Sequence, residues 1–166
     1  CYAFALVRFN GDGSLDTSFG TNGKASTDLG QGNDDGPAAI ALQADGKLVL
    51  AGYANGSSGG GGDSQFALVR YQANHTQDTS FGDGGKVTTD INGTDYAFAI
   101  ALQPDGKIVA GGHANASSNS DFALARYNSD GTLDTTFGTS GKVTTDLGSN
   151  ADRIRALVVQ ASGKIV

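Results

Sequence analysis

Two loops of the chain place side-chain oxygens at alternate positions: Asn10-Gly11-Asp12-Gly13-Ser14-Leu15-Asp16 and Asn128-Ser129-Asp130-Gly131-Thr132-Leu133-Asp134. Short loops of this kind wrap calcium, a hard cation that takes about six to eight oxygen ligands. Asp12, Asp16, Asp130 and Asp134 are therefore the calcium candidates. They are weak ones. No Asp or Glu stands where a bidentate ligand would close the loop, and the corresponding stretch Asn74-His75-Thr76-Gln77-Asp78 lacks the Asp-Gly pair. Asp-Gly is also an ordinary turn pair, because Asp bonds its own backbone and Gly accepts positive φ. The turn reading is preferred, and no cofactor is expected.

Asp16, Asp78 and Asp134, with Asp28, Asp90 and Asp146, could serve as paired carboxylates for acid–base work. They recur once per unit, however, together with Arg8, Arg70 and Arg126. An Arg at the end of an apolar strand needs a carboxylate if it is partly buried. Repeated structural ion pairs are the simpler expectation.

His75 and His113 are the only histidines. A catalytic base needs a nucleophile and an orienting group beside it, and the spacing supplies neither. Both are expected on surface loops. Lys47, Lys107 and Lys164 each follow a turn Gly and are expected to cap exposed strand starts. Asp83, Arg153 and Arg155 occur in one copy only and form no recognisable set with the histidines. The chain is expected not to be an enzyme. Asn55, Asn74, Asn92 and Asn115 head Asn-x-Ser/Thr sequons, a mild excess over chance, and all four are expected in loops.

These residues are positioned by a repeat. Phe4-Ala5-Leu6-Val7-Arg8-Phe9 returns as Phe66-Ala67-Leu68-Val69-Arg70-Tyr71 and as Phe122-Ala123-Leu124-Ala125-Arg126-Tyr127, at spacings of 62 and 56. Asp16-Thr17-Ser18-Phe19-Gly20 returns as Asp78 to Gly82 and Asp134 to Gly138 at the same spacings. A fixed period decides architecture before any local feature does. Short β-branched runs such as Gly85-Lys86-Val87-Thr88-Thr89-Asp90 follow. Ala97 to Gln103 then meets Pro104-Asp105-Gly106 and continues as Lys107-Ile108-Val109-Ala110, a hairpin whose Gly closes a bulged turn. The six extra residues of the first copy fall near 32–37 and in 57–62.

Each copy thus holds four strands in meander order. The boundaries are 1–64, 65–120 and 121–166, the last one truncated. Gly supplies 26 of 166 residues, Glu is absent, and no stretch shows an apolar stripe at helical spacing. The class is all-β. Continuous apolar strands indicate sheets covered on both faces, and recurrent Ala and Gly let neighbouring sheets approach. Tandem four-stranded antiparallel blades of a β-propeller fit best, three of them, not a complete ring by themselves. A β-solenoid and a β-sandwich are the rivals.

A net charge of −6 with 11 scattered Lys and Arg argues against a nucleic-acid partner. No apolar run approaches the ~20 residues that span a bilayer, so no membrane insertion is expected. The lone Cys1 rules out an internal disulfide, and a first residue other than Met suggests a processed or partial chain.

The strand Phe122 to Tyr127, the segment Asp130-Gly131 with Leu133 to Gly138, Gly141 to Asp146 and Gln103 to Val109 together resemble the bacterial delta-60 repeats, along the whole chain. That resemblance implies a large secreted or surface-attached bacterial protein of many propeller-like repeats, with no assigned activity. The second copy departs from the pattern at Asn74 to Gln77. The expected role is an extracellular or cell-surface scaffold, as a fibre or surface-layer subunit that associates with itself or with further repeats. A ligand- or carbohydrate-binding propeller module is the alternative, with Tyr53 and Tyr96 as its exposed aromatics and glycans as partners.

Overall fold

The computed structural model describes residues 3–30, 35–55, 63–116, 119–148 and 151–166. Ten strands are defined among them: β1 (Phe4–Val7), β2 (Lys24–Thr27), β3 (Gly36–Leu42), β4 (Leu48–Asn55), β5 (Ser64–Tyr71), β6 (Lys86–Thr89), β7 (Thr94–Leu102), β8 (Ile108–Ala116), β9 (Asn119–Tyr127) and β10 (Lys142–Thr145). Strands β3 to β6 form one four-stranded antiparallel meander and β7 to β10 a second, while β1 and β2 pair with each other. No helix of the described residues is long and apolar enough to cross a membrane. Cys1, the insertion at 57–62 and residues 32–34 of the one near 32–37 lie outside the described residues.

The sheets are offset from the sequence repeat. Each takes its first two strands from one copy and its last two from the next: β3 and β4 belong to the first copy, β5 and β6 to the second. Antiparallel neighbours in a meander need only a short turn. Strands β4 and β5 pair antiparallel, so the repeat boundary at residue 64 falls inside a sheet.

Both faces of the β3–β6 sheet are packed. In β5, Phe66 and Leu68 join the cluster that reaches Ala97 on β7, Ile108 and Ala110 on β8 and Tyr127 on β9. The alternate residues Ala67, Val69 and Tyr71 join a second cluster with Phe4 of β1 and Leu50 of β4. Successive side chains of a strand point to opposite faces, so a strand packed on both sides must be apolar throughout. Strand β7 lies across β3, β4 and β5, which sets the two sheets face to face.

The first hairpin of each sheet carries a β-bulge, between Pro37 and Ala39 in one and Ala97 and Ala99 in the other. A side chain at Gly112 would place its Cβ 1.8 Å from the Tyr96 carbonyl oxygen, and at Gly52 1.9 Å from that of Gly36. The bulge therefore requires glycine on the opposite strand.

Candidate functional site

Arg70 follows the apolar core of β5, and its Nε donates to Asp78 Oδ2 at 2.8 Å. The chain between them turns tightly: the Asp78 amide donates to the Arg70 carbonyl, and the Phe81 amide to the Asp78 carbonyl. Asp78 Oδ1 accepts the Ser80 hydroxyl at 2.7 Å and the Gln72 side-chain amide at 2.9 Å. This turn brings the Phe81 ring beneath the guanidinium, 4.4 Å from Cζ to centroid. A cation over an aromatic face is attracted by the ring quadrupole, and more so when both are dry. Phe81 is fully buried and Arg70 is 5 % exposed.

The same unit recurs. Arg8 meets Asp16 at 2.7 Å and lies 5.1 Å over Phe19; Arg126 meets Asp134 at 2.8 Å and lies 4.5 Å over Phe137. Burial alone would raise Asp78, but the Ser80 hydroxyl, Lys47 and Arg70 together bring its carboxyl down to about 2. The Thr136 hydroxyl is the leading cause that holds Asp134 well below the usual carboxylate range, aided by Arg126 and Lys107.

Lysines complete two of the three units. Lys47 reaches Asp78 Oδ2 at 3.1 Å and Lys107 reaches Asp134 Oδ2 at 3.4 Å. These lysines do more than cap a strand start: they cross from the hairpin to a carboxylate that has little exposure. The calcium candidates sit in the turns themselves. Asp12 accepts the Ser14 amide and hydroxyl, and Asp130 those of Thr132, while Asp16 is divided between Ser18 and Arg8.

The first two units also tie one sheet to the next. Arg70 Nη1 donates to the Ser129 carbonyl of the following loop. Arg8 Nη1 donates to His75 Nε2 at 2.6 Å, which places the imidazole proton on Nδ1, since a guanidinium cannot accept. His75 is thus a junction residue packed 4.4 Å from Phe19, with φ of 69°, where Gly13 and Gly131 stand in the other copies. Burial and the Arg8 charge hold its pKa below the ordinary value. Two further ties repeat: Lys86 Nζ to the Asp28 carbonyl and Lys142 Nζ to that of Asp90, and the tyrosine hydroxyls Tyr71 to Thr27 and Tyr127 to Thr89.

His113 departs from the surface expectation. It lies in β8, 3 % exposed, 5.3 Å from the Tyr96 ring and 5.4 Å from that of Phe98. Burial, reinforced by the nearby charges of Arg153 and Arg155, lowers its pKa to about 4. Tyr53, Tyr96 and Phe98 are half-buried in one row, with Arg155 4.8 Å over Phe98. Among the sequons, Asn74 and Asn92 are exposed in turns. Asn55 ends β4 and Asn115 lies in β8, so these two are strand residues, because the hairpins run longer than their apolar cores. Ser57 and Ser117, which complete those two sequons, lie outside the described residues.

Sequence reasoning passed over a further set. Asp35, Asp95 and Asp152 are buried and accept the amides of Leu29, Ile91 and Leu147. Burial is the main cause that pushes Asp95 up to about 6. The carboxylates of Asp121, Asp146 and Asp152 gather with oxygens within 4.8 Å of one another.

A family model described as "Domain of unknown function (DUF5122) beta-propeller" matches residues 2–19, 43–81 and 103–137, more than half of the chain. The chain belongs to this family. Each full match of the DUF5122 β-propeller runs from the hairpin glutamine, Gln43 or Gln103, to the phenylalanine beneath the arginine, Phe81 or Phe137. The family unit therefore encloses Lys, Arg, Asp and Phe of one junction together. The comparison with curated proteins finds no match.

Proposed function

We propose that this DUF5122 chain is a non-enzymatic repeat scaffold of the delta-60 type, extracellular or at the cell surface, and a subunit of a fibre or surface assembly. The observation that carries this reading is the fate of the repeated ionic groups. Each Arg, each paired Asp, Lys47 and Lys107 are all engaged in holding strands and sheets together. A repeat array whose end faces do not close on themselves extends by adding like units. The acidic balance of −6 fits a soluble surface between such units. Electron microscopy of native particles tests it: filaments or sheets are expected, and discrete monomers overturn the fibre.

A second reading rests on the aromatic row Tyr53, Tyr96 and Phe98. Half-exposed rings beside an arginine suit stacking against the apolar face of a sugar, as in a carbohydrate-binding module. Glycan-array binding that Tyr53→Ala abolishes would favour this reading over the scaffold.

A further inference from the structure

We propose that Asn74 is a site of N-linked glycosylation, and that the fold presents it for attachment while withholding the other three sequons. The inference stands apart from the scaffold reading. Asn74-His75-Thr76 lies in the turn between β5 and β6, where Asn74 Oδ1 accepts the Thr76 amide at 3.1 Å and the Thr76 hydroxyl at 2.8 Å. Asn74 and Thr76 are exposed, and Asn74 Nδ2 makes no hydrogen bond among the described residues. Asp130, at the same place in the loop after β9, is exposed as well, so the loop itself turns this side chain outward. All three copies share the turn, with Asp12 and Ser14 or Asp130 and Thr132 in the same two bonds. Three replacements set the second copy apart. Asn74 stands where the others have Asp, which offers no nitrogen to a sugar. Gln72 stands for Asn10 and Asn128: their amides occupy the hydroxyls of Ser14 and Thr132, whereas Gln72 turns to Asp78 and leaves the Thr76 hydroxyl to Asn74. His75 stands for glycine and is held by Arg8 and Phe19.

The other sequons lack this arrangement. Asn55 ends β4 and accepts the Ser64 hydroxyl, and Asn115 lies in β8 with its Oδ1 buried. Asn92 is exposed, but Thr94 gives its hydroxyl to Asp63 at 2.9 Å. The difference matters because a carboxamide nitrogen is a poor nucleophile until it loses a proton. Two donors on Oδ1 stabilise the charge that this loss leaves behind. The donor is a sugar diphosphate brought by a glycosyltransferase. Asn74 Nδ2 gives one proton to a base of that enzyme and attacks the anomeric carbon; the C–N bond forms as the C–O bond breaks, and the diphosphate leaves with the electron pair.

Trypsin separates the four sequons onto four peptides, with Asn74 on the one from Tyr71 to Lys86. Mass spectrometry of the protein purified from its native cells is expected to find sugar on that peptide, released by an N-glycosidase that leaves aspartate at position 74. A block of sugars added whole and a ladder of single additions both support the site, and they separate a lipid-linked donor from a nucleotide-linked one. Among variants made in the same cells, Asn74→Asp and Thr76→Ala are expected to lose the sugar, Thr76→Ser to keep it and Thr94→Ala to leave it unchanged. Asn74→Asp recreates the turn of the other two copies, so it keeps its fold, which circular dichroism checks. A bare peptide from the native protein overturns the proposal, as does sugar bound through Ser or Thr. Equal occupancy of all four sequons, or occupancy that survives Thr76→Ala, overturns it too.

Discussion

The hydroxyl of Tyr127 on β9 donates to Thr89 Oγ1 on β6 at 2.9 Å, across the junction of the two complete sheets. Both residues are buried, and desolvation pushes the phenol far above its ordinary pKa, so the bond keeps its proton wherever the protein is folded. Tyr127→Phe leaves the threonine hydroxyl without its partner and is expected to cost about 1–2 kcal/mol. Tyr127→Phe with Thr89→Val recovers part of that loss. Urea midpoints at an unchanged slope check both.

Asp78 is fully buried between Arg70 and Lys47. Asp78→Asn strands two cations, and breaking a buried pair costs about 3–5 kcal/mol. The equivalent Asp16→Asn, at the more exposed first unit, is expected to cost much less. The folded carboxyl titrates near 2, below the ordinary aspartate value. Its contribution is therefore complete above about pH 4 and is lost as pH falls toward 2. Acid unfolding of Asp78→Asn should lack that share of the pH dependence.

Asp95 and His113 oppose each other between pH 4 and 6.5. Asp95 titrates near 6 when folded, so the native state holds the extra proton and this residue's share of stability falls as pH rises. His113 titrates near 4, so the unfolded state holds the extra proton and its share rises with pH. Each shift is about two units, on the order of 2–3 kcal/mol. Stability of the wild type is expected to be nearly flat in that window. Asp95→Asn should make it climb with pH and His113→Phe should make it fall; thermal unfolding at pH 4, 5 and 6.5 separates the three slopes.

Gly13 and Gly131 share a left-handed backbone, at φ of 86° and 89°, but not their surroundings. A Cβ at Gly13 meets nothing within 4 Å, whereas at Gly131 it lies 2.9 Å from the Gly82 amide nitrogen and the Phe81 ring. Gly13→Ala should cost about 1–2 kcal/mol for the conformation alone. Gly131→Ala should cost about 1–3 kcal/mol more for the clash. Denaturant melts of the two variants measure the difference directly.

Strands and turns were readable in the chain because they are local: β-branched runs, Asp-Gly turns and the Arg–Asp spacing all sit within one copy. Where a sheet starts was not, since a tandem period has no privileged origin and β4 and β5 join across the boundary at residue 64. Lys47 and Asp78 meet across two strands, a relation that no spacing announces. His113 looks polar in sequence, yet Tyr96 and Phe98 surround it from a neighbouring strand. Asp35, Asp95 and Asp152 were hidden for another reason: they bond amides six, four and five residues before them, so no fixed motif contains the pair.

Because each sheet draws two strands from one copy and two from the next, unequal crossing-over between copies has a mild outcome. A crossover at equivalent codons removes or duplicates one whole sheet and rejoins the same kinds of strand at every junction. Array length is then free to drift over generations without any new interface having to arise, whereas gain or loss of a single residue within β4 or β5 would turn a doubly packed strand inside out.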